Sequence, residues 1–100
     1  MAVLGGLAVI FASGDADRLY LALSLLVSTA VEGEPASGLL SFQALPAAVN
    51  GALDADLWDA AVETGVTLYA CPNAGDPGDF EVMSTPRFLK VTKDARLVVV

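Results

Sequence analysis

The first ordered pattern in the chain is a continuous apolar run, Leu7-Ala-Val-Ile-Phe-Ala12, closed by the turn residues Ser13-Gly14-Asp15. A short run of β-branched and aromatic side chains without polar alternation predicts a strand buried on both faces. The period then changes. Over residues 15–32 the apolar positions Leu19, Ala22, Leu23, Leu26 and Ala30 recur at spacings of three and four, which predicts a helix. Asp15 and Asp17 fall in its first turn, where the helix dipole favours anions, and Gly33 follows as its stop. Leu21, Leu25, Val27 and Val31 fill most of the remaining circumference. A helix apolar nearly all round is expected to be buried on more than one side, and in so short a chain the second side is expected to be another subunit.

Glu34-Pro35 reads as a connector, followed by a second strand over residues 37–42. Residues 43–50 predict a short helix, with Pro46 in its first turn and Gly51 as its stop. Asp54 reads as an N-cap, and Leu57, Trp58, Ala61 and Val62 form the apolar stripe of a helix ending at Gly65. Residues 66–71 are the third strand, and Pro72, Asn73, Gly75, Pro77 and Gly78 mark residues 72–84 as a loop. Thr85-Pro86 is a helix start with Thr85 as the cap, which predicts a helix over 86–94 and a final strand over 96–100. The rival reading of the last stretch is a β-hairpin turning at Lys93-Asp94.

Strands alternating with helices in the order β-α-β-α-α-β-α-β predict a parallel sheet with crossover helices. The expected fold is a three-layer α/β domain spanning residues 1–100, with a mostly parallel sheet of four to five strands and helices on both faces. No internal repeat or low-complexity tract interrupts it.

Composition adds an expectation about assembly. Of the 100 residues, 55% are hydrophobic and only 17% charged, against an ordinary balance of nearly half and about a quarter. A small domain has much surface to cover with few charges, so part of the apolar excess is expected in a subunit interface. The net charge of −7, from 12 acidic and 5 basic residues, disfavours nucleic acid and anionic membrane surfaces, both of which are bound through Lys and Arg. No apolar run reaches the roughly 20 residues of a spanning helix. The first residues, Met1-Ala-Val-Leu-Gly-Gly, have no basic leader segment, so a cytoplasmic location is expected.

Several chemistries are excluded by residue type. Without a histidine there is no Ser-His-Asp machinery, and without C-x-x-C there is no dithiol exchange. Ser13-Gly14 follows the first strand, where a flavodoxin-like protein holds phosphate. However, no glycine-rich fingerprint is present, and Asp15 and Asp17 set negative charge against such a ligand. Asp54, Asp56, Asp59 and Glu63 read as a solvated helix flank, and Asp76, Asp79 and Glu81 lack the spacing of a calcium loop. No metal or cofactor is expected.

One cysteine remains, Cys71, at the end of the third predicted strand. The carboxyl ends of parallel strands are where open α/β folds place ligands. Chemistry that a single sulfur performs without a histidine favours carrying a group. Asp76, Asp79 and Glu81 stand nearby in the sequence and would oppose its thiolate, and Arg18 and Arg87 are the candidate cations to counter them. The bland alternative is a buried thiol acting as a small hydrophobe, with the crevice near Ser13, Phe42 and Cys71 holding a small ligand or nothing.

The residues then resemble a known family. Ser13-Gly14-Asp15 followed by Arg18 and Ala22, Leu40-Ser41-Phe42 before Ala44-Leu45, Gly65-Val66 with Tyr69-Ala70-Cys71, and Lys93-Asp94-Ala95-Arg96 before Leu97-Val-Val follow in that order along the chain. Together they resemble the DsrE/DsrF-like sulfur-relay family of small α/β proteins. No motif is specific alone, but the set covers nearly the whole chain. The resemblance implies a trimer or hexamer, and a sulfur carrier or sulfurtransferase subunit in which Cys71 accepts sulfane sulfur as a persulfide from a donor and passes it to an acceptor protein. In that picture backbone amides near Asn73 and Gly75 steady the charged sulfur, and Gly14 belongs to the neighbouring turn. The chain departs from the family after Cys71, where Pro-Asn-Ala-Gly-Asp-Pro-Gly-Asp stands in place of small or hydroxyl residues.

Overall fold

The apolar run at the start of the chain forms β1, Leu7–Phe11, in a computed structural model that describes residues 5–100. The leaderless reading of the chain start rests mainly on residues 1–4, which lie outside that range. Helix α1, Ala16–Val31, follows, capped by the Asp15 carboxylate accepting from the Arg18 N–H at 3.1 Å. Then come β2, Ala36–Leu40, and two helices, α2, Ala44–Val49, and α3, Ala55–Thr64. Asp54 caps α3 as expected, accepting from the Leu57 N–H at 2.9 Å. Gly65 ends it at φ 92°, a left-handed conformation that a side chain would oppose. The chain closes with β3, Thr67–Ala70, β4, Glu81–Val82, α4, Thr85–Val91, and β5, Arg96–Val99.

The five strands among the described residues are all parallel, in the order β4-β3-β2-β1-β5. This is the expected α/β architecture. Handedness decides which helix covers which face. Stepping from β1 to β2 to β3 in one direction, right-handed crossovers place α1 and α3 on the same face. The connection from β4 returns across the whole sheet to β5, so α4 lies on the other face.

The two layers have separate cores. On the front, Leu19, Leu23 and Leu26 of α1 and Ala61 of α3 pack with Val9, Phe11, Leu40 and Leu68. On the back, Phe88 of α4 packs with Ala8, Leu39 and Cys71. Alternate residues of β1 thus enter opposite cores, which is why its sequence shows no polar alternation. Gly38 sits where the front core is tightest. A Cβ there would lie 2.6 Å from Phe11 Cε1 and 2.8 Å from Leu68 Cδ2.

Several boundaries depart from the sequence reading. The second strand stops at Leu40 rather than at Phe42, because Phe42 turns into the left-handed region at φ 49°. The segment read as loop contains β4, two residues long and too short to carry a periodic signal. Ser84, not Thr85, caps α4, through its hydroxyl accepting from the Arg87 N–H at 3.4 Å. That helix stops at Val91, three residues early. The hairpin alternative fails, because β5 pairs with β1 in parallel, Leu97 opposite Ala8 and Val99 opposite Ile10. Helix α1 buries only one stripe within the chain, and Tyr20, Leu21, Leu25 and Val31 face outward. Among the described residues no helix is long and apolar enough to cross a membrane.

Candidate functional site

The carboxyl ends of the strands converge on one edge of the sheet, and backbone hydrogen bonds lock them together there. The Ser41 N–H and the Ser41 hydroxyl both donate to the Phe11 carbonyl, each at 3.0 Å, which ties the exit of β2 to that of β1. The Cys71 N–H donates to the Leu40 carbonyl at 2.9 Å, and the Met83 N–H to the Ala70 carbonyl at 3.0 Å. Four consecutive exits are therefore held in one row, with Cys71 the first residue beyond β3.

The side chain of Cys71 turns to the back face. It is 8% exposed, and it sits in the cluster of Ala8, Leu39 and Phe88, with Tyr69, Ala74 and Met83 partly buried around it. Its sulfur meets the hydroxyl of Thr85, whose Oγ1 lies 3.8 Å from Sγ, and either group can donate across that distance. Thr85 opens α4, so the sulfur rests beside the first turn of a helix that packs over it. The Tyr69 and Phe88 rings meet edge to face, with centroids 6.3 Å apart, and extend the apolar wall.

The other residues singled out in the sequence share the same edge but not the sulfur's packing. Ser13 is used locally, its Oγ accepting from the Asp15 N–H at 3.0 Å ahead of the α1 cap. Gly14 lets the first exit loop touch the second, since a Cβ there would lie 2.9 Å from the Gln43 carbonyl oxygen. Phe42 is 71% exposed, so its ring stands in solvent rather than over the thiol. Asn73 and Gly75 are exposed in the turn after Cys71, where the Ala74 N–H donates to the Cys71 carbonyl at 3.1 Å. That amide is already engaged by the turn. Arg18 and Arg87 are exposed, each donating its backbone N–H to a cap.

The structure adds three residues that sequence reasoning did not assign to the site: Thr85, Phe88 and Met83. Thr85 was read as a cap and Phe88 as part of an ambiguous tail. The signal that places them is topological. Once β4 pairs with β3, with Tyr69 opposite Glu81 and Ala70 opposite Val82, the residues just after β4 must lie beside those just after β3.

A separate cavity of about 630 Å³ opens at the opposite end of the sheet, lined among others by Gly5, Leu25, Ser28, Glu32, Asp94 and Arg96. It starts at the first described residue and includes none of the sequence candidates. Among the described residues no three His, Cys, Asp or Glu side chains gather as metal ligands.

Chemically, the edge offers one thiol, one hydroxyl beside it, and an apolar wall that restricts water. No protein-family model matches the chain, and no curated protein is significantly similar to it.

Proposed function

We propose that the chain is a sulfur carrier of the DsrE/DsrF-like type, with Cys71 the residue that is loaded. The observation that supports it is the position of Cys71 directly after β3 at the carboxyl edge of a wholly parallel sheet, its sulfur beside the Thr85 hydroxyl. The Cys71 thiolate attacks the terminal sulfur of a donor persulfide or polysulfide. A new S–S bond forms at Sγ, the donor's S–S bond breaks, and its electron pair leaves on the donor sulfur as a thiolate. No external oxidant or reductant is needed. The Thr85 hydroxyl is placed to donate to the thiolate. Loading and unloading both require the wall around Cys71 to open, because at 8% exposure the sulfur does not meet a macromolecular partner directly. The reading includes a cytoplasmic setting and self-association as a trimer or hexamer.

The same burial favours a second reading, in which the chain is a binding or assembly subunit on this fold and Cys71 is a core residue. One experiment separates the two. Native protein and a Cys71→Ser variant are incubated with polysulfide, and intact mass is measured. The carrier reading expects wild type alone to gain sulfur, reversibly with a reductant. No adduct on native wild type, with full thiol labelling after unfolding, would sink it and leave the assembly reading.

A further inference from the structure

The charges of this chain are unevenly distributed along it, and the helices on the two faces carry opposite signs. Arg87, Lys90, Lys93 and Arg96 fall in the last sixteen residues with a single acid, Asp94, so that segment carries +3. The preceding eighty-four residues carry eleven acids against Arg18 alone, a net −10. Because α4 is the back layer, Arg87 and Lys90 stand exposed on the back, with Lys93 in the turn just after. On the front layer, Asp56, Asp59 and Glu63 stand exposed along α3.

Each face also carries uncovered apolar surface. Phe88 anchors α4 over β1 and β2 and against Cys71 after β3, which leaves β5 without a covering helix among the described residues. Leu97 and Val99, in register with Ala8 and Ile10, continue the back face of the sheet and are 47% and 62% exposed. Parallel sheets are covered on both faces almost without exception, and here the cover stops one strand short. On the front, Tyr20 and Leu21 of α1 and Val62 of α3 are each more than half exposed. Register also puts Arg96 on the front, beside Leu7, and Glu81 on the back, beside Tyr69. The helices nonetheless differ in sign: α4 brings cations to the apolar back, and α3 brings acids to the apolar front.

We propose that the open back face is covered by a second copy of this chain, the α1–α3 surface of one copy docking on the α4–β5 surface of the next. Charge complementarity selects this arrangement. Two back faces together would oppose the cations of α4, two front faces would oppose the acids of α3, and only front against back brings those unlike charges together over apolar surface. Such a contact joins different patches, so it propagates from copy to copy and closes as a ring when the rotation allows. The inference deepens the assembly part of the proposed function and rests on none of its sulfur chemistry.

The test is the mass in solution of the full chain, by sedimentation velocity across protein and salt concentration. Wild type is expected above the mass of one chain at low salt, with association weakening as salt screens the unlike charges. Val99→Asp, at an exposed position, should weaken association by at least about tenfold. The charge reversals Arg87→Glu with Lys90→Glu, and Asp59→Lys with Glu63→Lys, should each weaken it alone, and mixing the two variants should restore a complex. A monomer under all conditions would overturn the proposal. So would association indifferent to these substitutions, or two variants that fail to combine when mixed. Sulfur loading, read by intact mass on the same samples, reports separately on Cys71.

Discussion

Removing the ring of Phe88 should unlock Cys71 before it unfolds the protein. Phe88 is fully buried and is the only buried side chain of α4, whose other large apolar residues, Leu89 and Val91, are 41% and 53% exposed. A seven-residue helix has no stability of its own, so this one ring and its contacts with Ala8, Leu39, Tyr69 and Cys71 hold the helix in place. Phe→Ala in a core costs about 3–5 kcal/mol. If most of that falls on the detachment of α4, about 3 kcal/mol raises the population of the opened state by on the order of a hundredfold. The assay is the rate at which native Cys71 reacts with excess of a disulfide probe, beside a urea titration of the same protein. Leu23→Ala is the control. It empties a fully buried site in the front core at a comparable cost, about 2–5 kcal/mol, but leaves α4 anchored. Phe88→Ala should therefore accelerate labelling far more than Leu23→Ala at matched loss of global stability. Equal acceleration by both would mean that Cys71 is reached only by global unfolding, and the local-opening argument would be wrong.

Three further outcomes follow from the geometry. Gly38→Ala forces a methyl against Phe11 and Leu68 and should destabilise by about 1–3 kcal/mol in a urea titration, with no effect if the strands separate to admit it. Asp54→Ala removes the cap of α3 and should cost about 1 kcal/mol, seen as a lower unfolding midpoint at unchanged slope. Phe42→Asn places a residue tolerant of left-handed backbone where φ is 49° and gives up a ring that is 71% exposed, so stability should hold or rise by up to about 1 kcal/mol. A clear loss there would reveal a contact made by the ring.

The front half of the fold was legible because its signals are local. The apolar run of β1, the Asp15 and Asp54 caps and the Gly33 and Gly65 stops each act within a few residues, and periodicity marked the buried stripe of α1. What escaped depends on pairing. β4 has two residues and exists only because β3 offers it an edge, and Phe42 leaves the strand through a backbone conformation that its side chain does not advertise. The position of Cys71 at the carboxyl edge was readable from the third strand. Its orientation toward the back layer was not, since that depends on which face the last crossover covers. The sorting of charge was visible in the chain all along, but it acquires meaning only once α4 and α3 lie on opposite faces.

The pairing of β1 with β5 has a consequence for the order in which the molecule folds. β1, α1, β2 and β3 can assemble the front core while the back of the sheet is still bare. The back layer waits for the chain to return from β4 to the far side of β1, a closure of much longer range than the crossovers that build the front core. Until it happens the Cys71 thiol and the open flank of β1 lack their covering helix and closing strand. The half-assembled chain is thus more reactive, and more prone to mispairing along β1, than the folded one. Residues 85–99 act as the latch that ends this vulnerable stage.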